Sequence, residues 1–254
     1  MQVTVLVKSI PDPGGETKLG PDFLVLRDGE GVLDPGDEFA VEAALQLAEA
    51  SGGEVTAVSM GPAGAGAAIR RALAMGAHRA VLVTDDALRG ADALATARVL
   101  AAAVGRSPFD VVVAGVESTD GYTGTVPMTV AEILGVPSAT FARKVDVADG
   151  VARVERQTEA GYDVIECALP AVVTVTASAA EPRFPTLKGI MSAKSKPLDV
   201  LSLSDLGLAA ADVAPAQRVA GVETAPEKSA GEVITGDDGA AERIADLLVD
   251  AKVI

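Results

Sequence analysis

The stretch most suited to chemistry runs from Gly115 through Val116, Glu117, Ser118, Thr119, Asp120, Gly121, Tyr122, Thr123 and Gly124 to Thr125. It holds three glycines, three threonines and a serine, and it leads into a helix-like run near Pro127. Glycine lets a ligand approach the backbone, and hydroxyls with amides at a helix N-terminus suit a phosphate. Asp120 stands where it can cap the turn or bind a ribose hydroxyl. An ordinary polar strand-to-helix loop has the same composition, so both readings stay open here. The stretch lacks the Gly-Lys-Ser/Thr of a Walker loop, and the first strand-to-helix connection lacks Gly-x-Gly-x-x-Gly. Asp34, Pro35, Gly36, Asp37 and Glu38 form a second cluster. A turn with Asp37 as helix N-cap and acids in the first turn explains it equally well.

The chain has one histidine and one cysteine. So sparse a supply argues against a histidine-based triad, a Cys–His pair or a zinc site. His78 reads as a turn residue, and Cys167 as an inward position on a strand. No disulfide can form within the chain. The third notable segment spans 182–197, which carries Arg183, Lys188, Lys194 and Lys196 and no acid, in a chain of net charge −15. It also offers Leu187, Ile190 and Met191 between Pro185 and Pro197. An apolar anchor with a basic rim suits docking to another protein; the same residues could instead fold back on their own domain.

Alternating strands and helices must position these segments. Residues 2–8, 54–60, 79–84 and 110–115 are continuous apolar runs of the kind found in parallel strands buried on both faces. Residues 37–50, 65–75, 91–104 and 127–134 read as the intervening helices. This predicts an α/β, doubly wound, mostly parallel sheet of Rossmann-like kind, with the polar loops gathered beyond the carboxyl ends of the strands. Residues 141–147, 151–158, 163–168 and 171–177 read as further strands that extend the sheet in antiparallel fashion or form a hairpin over it. Beyond residue 179 the dense periodicity fades, with Pro182, Pro185, Pro197, Pro215 and Pro226 punctuating it, and 240–249 reads as one last helix. The expected organisation is a globular domain over 1–178, a recognition loop over 179–198 and a C-terminal arm over 199–254.

Apolar residues make up 49 % of the chain but aromatics only 3 %, so Ala, Val and Leu must fill the core. The acidic balance argues against binding nucleic acid or an anionic membrane. No apolar run approaches the roughly 20 residues of a membrane span. The opening residues lack the pattern of a signal peptide, so the expected location is cytoplasmic.

Several of these segments together resemble one family. Leu169, Pro170, Ala171, Val172, Val173, Thr174 and Val175, then Glu181 to Pro185, then Lys188, Gly189, Ile190 and Met191 closely resemble the signature region of electron transfer flavoprotein β subunits. Gly115 to Pro127 looks like that family's nucleotide loop. Lys8, the pair Asp34 and Pro35, Ser59 to Pro62, and Ala72 to Ala77 fall in the family's order, and the resemblance runs from Val3 to about Gly207. It implies an adenine-nucleotide-hydrolase-like fold and a heterodimer with a larger α subunit that carries most contacts to FAD. The small subunit would hold AMP, or a second FAD in electron-bifurcating members.

Carried over by position, the nucleotide contacts are Leu6, Asp34, Pro35, Gly36, Asp37, Met60, Asp120, Gly121, Tyr122, Thr123, Gly124, Thr125 and Val126. The docking contacts are Leu187 as anchor with Lys188, Ile190, Met191, Lys194 and Lys196. The resemblance further implies an electron carrier without catalytic residues of its own. Electrons would pass from acyl-CoA or other flavoprotein dehydrogenases to a quinone oxidoreductase. Pro13 and Gly36 stand where many relatives have aromatics, and Gln157 where some have a flavin-proximal acid. Tyr122, Gly124 and Thr125 depart from the common Asp, Ala and Gln. Two other classes fit less well. An ATP-pyrophosphatase needs a phosphate loop where Ser9, Ile10, Pro11, Asp12 and Pro13 stand, and a nucleotide-sensing stress protein would end near residue 150.

Overall fold

The computed structural model describes residues 1–27, 29–223, 231, 233–234, 236 and 239–253. The chain forms two compact units, Met1–Ala220 and Gly221–Ile254. In the first, the strands are β1 (Gln2–Leu6), β2 (Ser9–Ile10), β3 (Val32–Leu33), β4 (Glu54–Met60), β5 (Arg79–Val83), β6 (Val111–Gly115), β7 (Ser138–Ala148), β8 (Val151–Thr158), β9 (Gly161–Ala168), β10 (Ala171–Val175) and β11 (Leu198–Leu201). The helices are α1 (Pro35–Ser51), α2 (Gly66–Met75), α3 (Ala93–Val104), α4 (Val126–Leu134) and α5 (Leu187–Ala193). The second unit contains α6 (Ala240–Asp250).

One nine-stranded sheet organises the first unit, in the order β11-β5-β4-β1-β6-β10-β7-β8-β9. It is parallel from β11 to β7, and β8 and β9 continue it antiparallel. Successive strand residues face opposite sides, so each central strand feeds two cores. Val3, Val5, Val55, Val111, Val113 and Val173 join Val41 of α1 and Ile69 of α2 on one side. Leu6, Val58, Val112 and Val172 join Val99 of α3 and Val130 of α4 on the other. This is why the strands read as unbroken apolar runs, and why alanine and valine suffice: helices lie close on both faces. The α/β doubly wound expectation is met.

The chain runs outward from β1 through β4 to β5, then returns to place β6 on the other flank of β1. The order therefore reverses between β1 and β6, and a crevice opens beyond their carboxyl ends. Local sequence sets the helix that borders it. Asp34 caps α1 by accepting a hydrogen bond from the Gly36 amide, Pro35 suits the first helical position, and Gly52 ends the helix in the left-handed region at φ 63°. The cap is thus Asp34, not Asp37 as the spacing suggested, and Asp37 turns its carboxyl inward.

Three expectations need correction. β10 does not close the antiparallel hairpin; it inserts between β6 and β7, parallel to both. The segment read as a recognition loop contains α5, whose N-cap is Thr186. The globular unit does not stop near 178. β11 pairs with β5, and Leu203 and Val213 are buried in the α3–α4 core, so residues 199–220 belong to the unit and not to the arm. Of the expected arm, 224–230 (with Pro226), 232, 235, 237, 238 and 254 lie outside the described residues. Among the described residues no helix is long and apolar enough to cross a membrane.

Candidate functional site

Three chain segments meet in the crevice: the connection after β1, the start of α1, and the loop after β6. Asp34 is fully buried and joins two of them. Its Oδ1 accepts from the Gly36 amide at 2.8 Å, and its Oδ2 accepts from the Thr119 amide at 2.7 Å and the Thr119 hydroxyl at 3.0 Å. One carboxylate thus fixes both the helix start and the middle of the loop. Asp37 joins the third segment, accepting from the Lys8 amide at 2.7 Å. Burial, then the neighbouring charge of Asp34, pushes the Asp37 carboxyl up to about 8, against the opposing pull of the Lys8 and Gly115 amides. A Cβ at Gly115 would lie 2.9 Å from Asp37 Oδ1, so a larger residue there would push the Asp37 carboxyl out of place.

The loop itself is held by cations. Lys8 Nζ donates to Asp120 Oδ1 at 2.6 Å and to Ser118 Oγ at 3.0 Å, and Arg27 Nη2 donates to Asp120 Oδ2 at 2.5 Å. Burial works against the Asp120 carboxylate, but the two cations outweigh it and hold the group below the usual carboxylate range. Arg27 also donates to the Ser9 carbonyl at 3.0 Å, which ties it to the connection after β1 as well as to Asp120. Tyr122 and Gly124 both sit at positive φ, 48° and 61°. They turn the loop sharply before α4, whose N-cap Thr125 makes no side-chain cap. Pro127 has no N–H, and the Thr129 amide donates to the Thr125 carbonyl, so Val126 and Met128 supply the first-turn amides of α4 that no side chain caps.

The structure brings Asp34, Pro35, Gly36, Asp37 and the loop from Asp120 to Val126 to this one edge. Leu6, Met60 and Val126 contribute to the apolar layer on the α3–α4 side. Thr123 and Thr125 are exposed, and Tyr122 is 67 % exposed. The sequence did not single out Arg27. An isolated arginine in a segment rich in Gly, Pro and Asp is its only local signal, and its partner lies 93 residues away. His78 is structural, because its Nδ1 accepts the Val55 amide at 3.0 Å and so ties the start of β5 to β4. Cys167 is buried, and no cluster of metal-binding side chains occurs among the described residues.

The 182–197 segment lies away from the crevice, against α1 and α2. Phe184, Leu187 and Met191 are 87 %, 76 % and 67 % exposed, and Ile190, Lys188 and Lys194 are exposed beside them. Lys196 is not a free rim cation. Its Nζ donates to the Leu73 and Ala77 carbonyls at 2.8 and 2.7 Å, closing the carboxyl end of α2, and burial holds its ammonium below the usual lysine range.

Fold and crevice define a doubly wound α/β protein with a polar, partly charged edge at its topological switch point. Comparison with known families sharpens this: the electron transfer flavoprotein domain matches residues 22–206. The chain is 42 % identical, over 263 aligned residues and 99 % of each chain, to the electron transfer flavoprotein subunit beta of Mycobacterium tuberculosis strain H37Rv. It is 37 % identical to the protein of that name from Bacillus subtilis, across 100 % of both chains, and 35 % identical to that of Megasphaera elsdenii, across 100 % and 98 %. The chain belongs to the electron transfer flavoprotein family, among its β subunits.

Proposed function

We propose that this chain is the small subunit of a heterodimeric, cytoplasmic electron transfer flavoprotein that holds AMP in the β1–β6 crevice. It helps seat an FAD carried mainly by the α subunit, and it acts as an electron carrier with no catalytic residue of its own. Electrons reach the flavin from dehydrogenases such as acyl-CoA dehydrogenases and leave to a quinone oxidoreductase. The observation that carries the nucleotide reading is the loop after β6, pinned to α1 by Asp34 and Thr119 and ending on the Val126 and Met128 amides of α4, which no side chain caps. Those amides, with Ser118, Thr123 and Thr125 hydroxyls, supply the donors a phosphate needs. Lys8 and Arg27 neutralise Asp120 at the same edge and keep the loop in place. The exposed Leu187, Ile190 and Met191, rimmed by Lys188 and Lys194, form the docking surface for the dehydrogenase.

The test is to purify the chain with its α partner, release the bound small molecules by denaturation and quantify them. One AMP and one flavin per heterodimer are expected. Two flavins and no AMP would replace this reading with the electron-bifurcating one. In the double variant Thr123→Ala, Thr125→Ala, loss of charge-assisted hydrogen bonds worth about 1.5–3 kcal/mol each should lower AMP occupancy after gel filtration. Undiminished occupancy would remove those hydroxyls from the site.

A further inference from the structure

The exposed docking segment is fastened to the domain by a second set of charges, at a place unrelated to the nucleotide crevice. Glu42 of α1 is only 4 % exposed. Its Oε2 accepts from Arg183 Nε at 2.7 Å and from the Arg183 amide at 3.2 Å, and its Oε1 accepts from Arg183 Nη2 at 2.9 Å. The other side of the same guanidinium grips Glu49, two turns further along α1, through Nη1 at 2.5 Å and Nη2 at 3.2 Å. Gln46, between the two acids, donates to Glu42 at 2.9 Å. Burial works against the Glu42 carboxylate, yet the Arg183 bonds outweigh it and keep the group below its usual range, so the clamp is ionised at neutral pH.

Arg183 is the residue immediately before Phe184, the most exposed large side chain of the segment, and four before Leu187. On the far side, a Cβ at Gly189 would lie 2.5 Å from the Ala74 carbonyl, so α5 is seated against α2, and Arg70 donates to the Ala193 carbonyl at 2.9 Å. Both ends of the segment are tied down while Phe184, Leu187, Ile190 and Met191 face outward. A surface loop with that much exposed apolar area would ordinarily collapse or fluctuate. Here fixed charges remove the flexibility before any partner arrives, which lowers the ordering cost of association.

We propose that Arg183, gripped by Glu42 and Glu49, is a positioning residue for the docking surface. Its contact with α1 holds Phe184 and Leu187 in the orientation the dehydrogenase binds, without Arg183 itself touching the partner. This rests on the docking reading given above. Both partners of the clamp belong to this chain, and four of the five guanidinium N–H donors are committed to them. The residue therefore acts through the backbone it anchors.

The experiment uses the intact heterodimer with a reduced acyl-CoA dehydrogenase as electron donor, and it reads KM for the dehydrogenase separately from kcat. Arg183→Ala should raise KM about tenfold, the scale of losing pre-organisation of a few side chains, with kcat at saturation within about twofold of the parent. Glu49→Gln, at an exposed position, should give a smaller rise of the same kind and serves if Arg183→Ala fails to fold. Arg183→Lys, keeping charge but not the forked geometry, should recover only part of the loss. Combined with Leu187→Ala, Arg183→Ala should add little further, since both changes act on one contact. A fully additive double variant, or a lowered melting temperature with unchanged KM, would overturn the positioning role. If Leu187→Ala alone leaves KM unchanged, the docking reading falls first, and this inference falls with it.

Discussion

The crevice beyond β1 and β6 and the segment 182–197 use the same chemistry to opposite ends. In the crevice, buried carboxyl groups pull segments inward: Asp34 and Asp37 lock α1, the β1 connection and the loop after β6 into one unit. In the segment proposed for docking, Arg183 and Lys196 hold the backbone while the apolar side chains stay in water. A buried polar group stabilises only while its partners remain, so the crevice is where single changes should cost most. An exposed apolar side chain contributes to folding hardly at all, and its worth is realised only against a partner.

The sharpest break in this comparison is Asp34→Ala. It removes the α1 cap and leaves two amides and a hydroxyl without their acceptor, so a loss of about 3 kcal/mol or more is expected, with nucleotide content falling in parallel. Denaturant melts and extracted nucleotide are the readouts. A stable variant with full occupancy would mean that the loop holds its shape without α1.

Asp37 sharpens the same side through pH. Its carboxyl is raised from 3.8 to about 8 in the folded chain, so the folded state favours the protonated form. Its contribution is therefore complete below about pH 4, declines as pH rises towards 8 and is level above that. Asp37→Asn, neutral throughout and of similar size, should flatten the stability curve across that window by up to about 1.4 kcal/mol per pH unit. It should also leave the protein more stable than the parent at pH 9. Urea melts at pH 5, 7 and 9 settle the matter, and parallel curves for the two proteins would contradict the assignment.

The smallest effects separate the two kinds of residue within the docking segment. Lys196→Met keeps the aliphatic stem but leaves the Leu73 and Ala77 carbonyls unpaired, at a cost of about 1–3 kcal/mol and several degrees of melting temperature. Leu187→Ala, at a position 76 % exposed, should change stability by less than about 0.5 kcal/mol. Equal losses for the two would mean that Leu187 packs on its own domain and would remove the contrast.

What the sequence by itself determined follows from local patterning. The parallel strands and their helices are legible because buried strands are uniformly apolar. The helices are bounded by local signals such as Gly52, Pro127 and Gly135, whose effect on the backbone does not depend on distant residues. The loop from Gly115 to Thr125 stands out for the same reason: glycine and hydroxyl residues between a strand and a helix carry their meaning in place. The tertiary structure alone decided the rest. Leu198–Leu201 became an edge strand and Ala171–Val175 slipped between β6 and β7, because strand pairing is chosen by summed packing across the sheet and short runs of four or five residues do not specify a neighbour. The two charge clusters depend on the same long-range choice. Arg27 meets Asp120 across 93 residues and Arg183 meets Glu42 across 141. No spacing rule reaches that far, so a basic residue that reads as a free surface charge becomes a half-buried tie only when the fold brings its acid to it.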